Sequence, residues 1–186
     1  MNITRDDAAQ ALGEINAARG RIEEITAYAN AAPYLIVWGL VWMGADFANQ
    51  FAPTWWAAWP VGIALGTVAS IALGVSMSRP KAEPGTKSDS WRYFATWGAI
   101  IAFIFTLFLV VPVTSNKETH SVFGLLFGCL YVGMGIWTGW RLIALGVALV
   151  ALTLVGFYAI GPWYALYMGV VSGGALVLGG LWLRRV

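Results

Sequence analysis

The chain has 186 residues, of which 59% are hydrophobic and 11% are charged, and its mean hydropathy is +0.71. Soluble domains carry about 25% charged residues, so this composition excludes an ordinary soluble domain and indicates a protein embedded in a lipid bilayer. The net charge is only +2, and the Lys and Arg residues form no cluster of the kind that binds nucleic acid.

Six apolar stretches are long enough to be membrane-spanning helices. Each has close to the roughly 20 residues that a helix, rising 1.5 Å per residue, needs to cross a hydrocarbon core of about 30 Å. They cover residues 33–51, 55–77, 94–113, 121–139, 142–160 and 163–183. The predicted fold is therefore an all-α integral membrane protein, with a cytoplasmic amphipathic helix in residues 1–32 and a six-helix transmembrane bundle in residues 33–186.

The distribution of basic residues predicts the orientation of these spans. Of the eleven Lys and Arg residues, all but Lys117 fall on one side of the membrane when the six stretches are threaded in order. Because positive charge is retained in the cytoplasm, both termini are predicted to be cytoplasmic and the protein to lie in the inner or plasma membrane. The residues on the cytoplasmic side are Arg5, Arg19, Arg21, Arg79, Lys81, Lys87, Arg92, Arg141, Arg184 and Arg185.

The segment before the first span, residues 4–29, has the pattern of an amphipathic helix. Its apolar residues recur at alternating spacings of three and four, which is the a/d seam of a heptad repeat. They are Ala8, Ala11, Ile15, Ala18, Ile22, Ile25 and Ala29. The acidic residues on the polar face outnumber the basic ones, which is a poor match to anionic lipid headgroups. We therefore predict a protein contact, either a homo-oligomer or a cytosolic partner; packing against the bundle's own loops is the alternative.

Two further patterns concern the helix boundaries and the topology. Residues 30–33 are predicted to interrupt the amphipathic helix, with Pro33 in the first turn of the next helix, where its missing N–H costs nothing. Tyr34 and Trp38 in the first span match Tyr93 and Trp97 in the third at the same spacing. This weak repeat predicts three tandem helical hairpins related by parallel rather than inverted repeats.

Glycines at helical spacing on the even-numbered spans are the predicted packing positions. Small residues allow helix backbones to approach closely where no hydrophobic effect drives association. These glycines are Gly62, Gly66 and Gly74 in the second span, Gly124, Gly128, Gly135 and Gly139 in the fourth, and Gly169 and Gly173 in the sixth. The even-numbered helices are accordingly expected to form the tight centre of the bundle.

Asp46 is the one acidic residue within a predicted span. It lies about 20 Å along a helix that starts at Pro33, and Trp38, Trp42 and Asn49 share its face on a helical wheel. A charged carboxylate at such a depth is costly and marks a functional site by default. The candidate partners for Asp46 are Lys117, His120 and the indole of Trp42.

The resulting candidate site is an intramembrane polar cluster. It consists of Asp46, Asn49, Glu118 and His120, together with Trp38 and Trp42. The site would bind protons or coordinate a cation; in the alternative, Asp46 is a hydrogen-bonded and partly wetted carboxylate at the rim. One His and one nearby Glu are too few ligands for a metal site, and the chain has no catalytic motif. No catalytic residue, metal or cofactor is therefore predicted.

Three functions remain compatible with the sequence. The first is a non-enzymatic interaction, sensory or regulatory module that uses residues 4–29 for association. The second is a channel or carrier for a small solute, a proton or a cation, with an outward-facing pocket at Asp46. The third is a membrane enzyme or cofactor subunit that acts on a lipid or quinone held by Trp38 and Trp42, and it is the least supported because no acid–base pair can be named.

Overall fold

The computed structural model describes residues 5–55, 57–77 and 115–185, together with four pairs of residues between positions 98 and 110. All regular structure in these residues is helical. Five of the described helices are long and apolar enough to cross a membrane. They are α1 (Arg5–Phe51), α2 (Ala58–Met77), α3 (Asn116–Thr138), α4 (Trp140–Ala159) and α5 (Tyr164–Leu183).

These helices coincide with five of the predicted spans. The third predicted span, residues 94–113, lies largely outside the described residues, as does the loop that follows α2. The helix α3 begins five residues before the predicted start at position 121. The reason is a capping box, in which the Ser115 hydroxyl accepts from the Glu118 N–H and the Glu118 carboxylate accepts from the Ser115 N–H.

The first helix continues for 47 residues through Pro33, so the predicted interruption at residues 30–33 is wrong. At 1.5 Å per residue the helix is about 70 Å long. Proline removes one backbone hydrogen bond from a helix interior. Here the neighbouring turn is held by tertiary packing, since Tyr28 and Ala32 are fully buried and a Cβ on Gly180 would lie 2.8 Å from the Ala32 carbonyl oxygen.

The closest helix contacts in the described part of the chain are made through glycine. A Cβ on Gly173 of α5 would lie 2.9 Å from the carbonyl oxygen of Gly39 in α1. In the same way, a Cβ on Gly128 of α3 would lie 3.0 Å from the carbonyl oxygen of Gly146 in α4. Backbone therefore lies against backbone at both contacts, and α5 includes a π-helical segment, Met168–Gly173, at the first of them.

The core lies between α1, α4 and α5. Its fully buried members include Leu35, Leu149 and Leu176, one from each of these helices. Among the described helices, α2 is mostly exposed and packs chiefly on α1, whereas the predicted span 94–113, which could also contact it, lies largely outside the described residues. In the contact with α1, Gly62 and Gly66 face Val41 and Trp38, and Gly74 lies beside the Tyr34 hydroxyl.

The turn between α3 and α4 consists of one residue, Gly139, which has a φ of 140° that side-chain-bearing residues rarely adopt. The Tyr28 hydroxyl lies directly against this turn, where it donates to Glu24 and accepts from the Arg141 N–H. The guanidinium of Arg141 stands over the rings of Tyr28 and Trp182. This end of the bundle therefore joins α1, α4 and the last turn of α5.

Candidate functional site

Asp46 and His120 meet in the interior at the opposite end of the bundle from Tyr28. The Asp46 Oδ1 and His120 Nδ1 atoms are 3.0 Å apart, and the two residues are 1% and 6% exposed. Neither atom has another hydrogen-bond partner in the described residues. Because an isolated charge is costly at such a position, the pair is stable only when it is neutral as a whole, with one proton held between the carboxylate and the imidazole.

Two features of the fold bring this pair together. Gly169 lies directly over Asp46, because a Cβ on this glycine would be 3.0 Å from the Asp46 Cβ. A larger residue at position 169 would push α1 and α5 apart at the level of the carboxylate. His120 lies in the first turns of α3, and the capping box at Ser115 fixes where that helix starts. The π-helical turns of α5 begin at Met168, beside Gly169, and such turns are frequent at functional sites.

The other side of the imidazole faces Asn49 and Trp59. The Asn49 Nδ2 atom is 3.5 Å from His120 Nε2. The indole of Trp59 packs against the imidazole with an edge-on geometry, with 5.2 Å between the ring centroids. The indole N–H of Trp59 is buried and has no hydrogen-bond partner in the described residues. The imidazole is therefore held between a carboxylate, an amide and an aromatic ring.

A cleft of about 300 Å³ is lined by His120 and by Asn49, the residue whose amide lies beside His120 Nε2. Its polar groups come from Asn49, Gln50, Asn116, Lys117, His120 and Tyr164, and its apolar part from Pro53, Gly161, Pro162 and Ala165. No acidic side chain is among these described lining residues, and Asp46 itself stays behind the imidazole. The cleft has the volume of a site for a small molecule, and Lys117 is the one Lys or Arg among its described lining residues.

Lys117, an alternative partner for Asp46, makes different contacts. Its ammonium donates to the Ile160 carbonyl at 2.9 Å and stands over the rings of Phe157 and Tyr164, at 5.1 and 5.4 Å from the ring centroids. This arrangement ties the start of α3 to the link between α4 and α5.

A pair of hydroxyl groups joins α3 to α5 beside the cleft. The Ser121 hydroxyl donates to the Lys117 carbonyl at 2.7 Å, so the Tyr164 hydroxyl, 2.5 Å away, acts as the donor to Ser121. Both residues are buried. The sequence reasoning did not find this pair, because two hydroxyl groups 43 positions apart in the chain carry no spacing signal.

The remaining predicted site residues have structural contacts. Glu118 caps α3 and does not line the cleft. Trp42 is buried with its ring edge-on to Phe127, and Trp38 packs over Gly66 of α2. Asp46 is buried too deeply to be the partly wetted rim carboxylate of the alternative interpretation, which is therefore wrong.

The chemistry open to this site is that of a proton-holding imidazole. A carboxylate on Nδ1 orients the ring, and Nε2 is left to exchange a hydrogen bond or a proton with the cleft. Within the described ranges, no group of three or more His, Cys, Asp or Glu side chains is placed to hold a metal ion. Comparison with known proteins found no matching family model, no similar curated protein and no similar solved structure.

Removing one member of the buried pair should cost more stability than removing both. We expect His120→Leu to lower the free energy of unfolding by about 3–5 kcal/mol, because the Asp46 carboxylate then lacks its counter-charge. The double substitution Asp46→Leu with His120→Leu should recover most of this loss. Thermal unfolding of the purified protein in detergent measures both, and a double variant less stable than either single variant would contradict the pairing.

Proposed function

We propose that this protein is a non-enzymatic, membrane-embedded sensory or regulatory module whose N-terminal helix pairs with that of a second copy. The observation that supports the proposal is the continuity of α1. One helix carries Asp46 inside the bundle and, 20 to 35 residues earlier, an apolar seam outside it. A displacement of α1 at the Asp46 site is therefore transmitted to the seam without an intervening loop.

The described side chains of the seam are exposed before α1 reaches the bundle. Residues 9–23 are all exposed, Glu24 is partly buried against the Gly139 turn, and Tyr28 is the first buried residue described in the helix. Large apolar side chains in this segment are 42–64% exposed, and they are Leu12, Ile15, Ile22 and Ile25. About 35 Å of helix with such a row is what a partner helix covers in a coiled coil.

A second copy of this chain is the partner that the pattern fits. Copies inserted in one membrane have the same orientation, so their N-terminal helices run parallel. Ile15 and Ile22 occupy a positions of the heptad, and Ala18 at a d position allows the two helices to approach closely. In this register Glu14 is a g residue and Arg19 the e residue that follows it on the partner helix, so each dimer contains two complementary pairs of opposite charge.

Charge reversal tests both the pairing and its register. Glu14→Arg and Arg19→Glu should each weaken the dimer about tenfold, because each places like charges across the interface, and the double variant should restore it. Mass measured by light scattering in detergent gives the result. Unchanged mass after deletion of residues 1–29 would overturn self-association through this helix.

Disulfide cross-linking supplies a matched control for the same proposal. In a Cys129→Ala background, which removes the native thiol, Ile22→Cys should cross-link two chains in membranes. Gly20→Cys lies on the opposite face of α1, where an added Cβ contacts nothing within 4 Å, and should not. Equal cross-linking at both positions would indicate random collision rather than a seam.

The topology that we propose for this module has six spans in three tandem hairpins. The protein lies in the inner or plasma membrane, and both of its termini are in the cytoplasm. The apolar stretch 94–113 supplies the sixth span beside the five described helices. Two arginine-bearing helix ends support the same orientation. Arg141 and the end of α5 at Arg184 lie together beside Tyr28, whereas Lys117 lies at the other end of the bundle.

Reporter fusions test this orientation. A fluorescent protein that folds only in the cytoplasm should be active at either terminus, whereas one inserted at position 115 should be dark. A periplasmic reporter such as alkaline phosphatase should give the reverse pattern. A fluorescent fusion at one terminus alone would mean an odd number of spans and would contradict the six-span topology.

A second candidate function is an outward-facing site for a small solute or a proton. The observation that favours it is the position of His120 between the buried Asp46 and the cleft. The sequence alone made a cation the candidate ligand. The cationic Lys117 and the lack of acidic side chains in the described lining favour an anion instead.

A further inference from the structure

Three nitrogen groups on the cleft are hydrogen-bond donors. The first is Lys117, whose ammonium has three N–H groups and uses one of them for the Ile160 carbonyl. The second is the amide nitrogen of Asn49, a lining residue whose Nδ2 atom is 3.5 Å from His120 Nε2. The third is Nε2 of His120, which lines the same cleft.

The donor character of His120 Nε2 follows from the Asp46 contact. When the pair is neutral as a whole, one proton lies between Asp46 Oδ1 and His120 Nδ1, and the remaining ring proton is on Nε2. His120 Nε2 and Asn49 Nδ2 are then two donors 3.5 Å apart. An acceptor oxygen that lies beside both nitrogens, about 2.9 Å from each, satisfies the two donors.

The charge of the lining limits the ligand. Lys117 contributes one positive charge, and the Asp46–His120 pair contributes none in total. The other titratable lining group, Tyr164, is a neutral donor to Ser121, while Glu118 is held at the Ser115 cap and Trp59 of α2 has no charge. A monoanion is therefore balanced in this cleft, whereas a dianion such as hydrogen phosphate is not.

The size and the apolar lining limit the ligand further. The volume of about 300 Å³ is at the lower end for small-molecule sites, and Pro53, Pro162 and Ala165 are lining residues without hydrogen-bonding side chains. We propose that this cleft binds a small aliphatic monocarboxylate. Its carboxylate oxygens accept from His120 Nε2, Asn49 Nδ2 and Lys117 Nζ, and its alkyl chain contacts these apolar lining residues.

This inference rests on the second candidate function, the outer site, and is independent of the pairing of α1. Equilibrium binding to the purified full chain therefore tests it without a requirement for transport. The probe is radiolabelled butyrate, measured by equilibrium dialysis in detergent, with the uncharged isostere butyramide and with sulfate as competitors. Binding by Arg19→Glu, which alters only the N-terminal seam, should equal that of the native protein even if the dimer is lost.

The expected result is saturable binding of one butyrate per chain. Butyramide should compete at least about tenfold more weakly, because it lacks the charge that Lys117 and His120 recognise. Lys117→Met and Asn49→Asp should each weaken binding about tenfold or more, the second by placing a carboxylate where a donor stood. Glu118→Gln keeps the α3 cap and lies outside the cleft, so it should bind as the native protein does.

Several outcomes would overturn the proposal. Butyrate that does not saturate, or butyramide that competes equally, would exclude an anion site. Sulfate that displaces butyrate with the same affinity would assign the cleft to inorganic oxyanions instead. Native affinity for butyrate in Asn49→Asp would show that the carboxylate of the ligand is not held beside His120. The comparisons of butyrate with butyramide and sulfate use the native chain, so they test the proposal even if a variant fails to fold.

Discussion

Backbone contact between α1 and α5 positions the rest of the bundle. At Gly39, Gly173 and Gly169 the two helices lie so close that a single Cβ would separate them. Such contacts bring no apolar area out of water inside a membrane, and their stabilisation comes from van der Waals packing. The closeness has a chemical consequence, since it covers Asp46 on the α5 side and leaves His120 as the polar neighbour of its Oδ1.

The long α1 helix joins two regions of different character. Its inner part holds the buried carboxylate beside the cleft, and its outer part is an exposed seam in which Ala and Ile occupy the a and d positions. Tyr28 lies between them and packs against the one-residue turn at Gly139. In the account that we propose, the seam pairs with that of a second copy, and α1 carries both the seam and the buried carboxylate on one continuous helix.

The sequence predicts the local features better than the long-range ones. The apolar spans and the cost of burying Asp46 follow from neighbours in the chain, so they can be identified without a structure, whereas the start of α3 at the Ser115 cap was placed five residues too late. The choice of His120 over Lys117 beside Asp46 depends on how α1, α3 and α5 pack, and the π-helical turn at Met168 has no composition signal. The prediction of a helix break at Pro33 was wrong because it considered only the backbone hydrogen bond that proline removes. Tertiary contacts at Ala32, which the sequence does not reveal, offset this local cost.

The rigidity of α1 is the central claim, and one distance tests it most directly. Spin labels at Gly13→Cys and Gly44→Cys, two positions where an added Cβ meets nothing within 4 Å, flank Pro33 on the same helix. Pulsed electron resonance in nanodiscs, with Cys129 replaced by alanine and labelled chains diluted with unlabelled ones, should give one narrow distribution near about 46 Å. A broad distribution centred well below that distance would show that α1 bends or breaks at Pro33, and that the seam and the Asp46 site move independently.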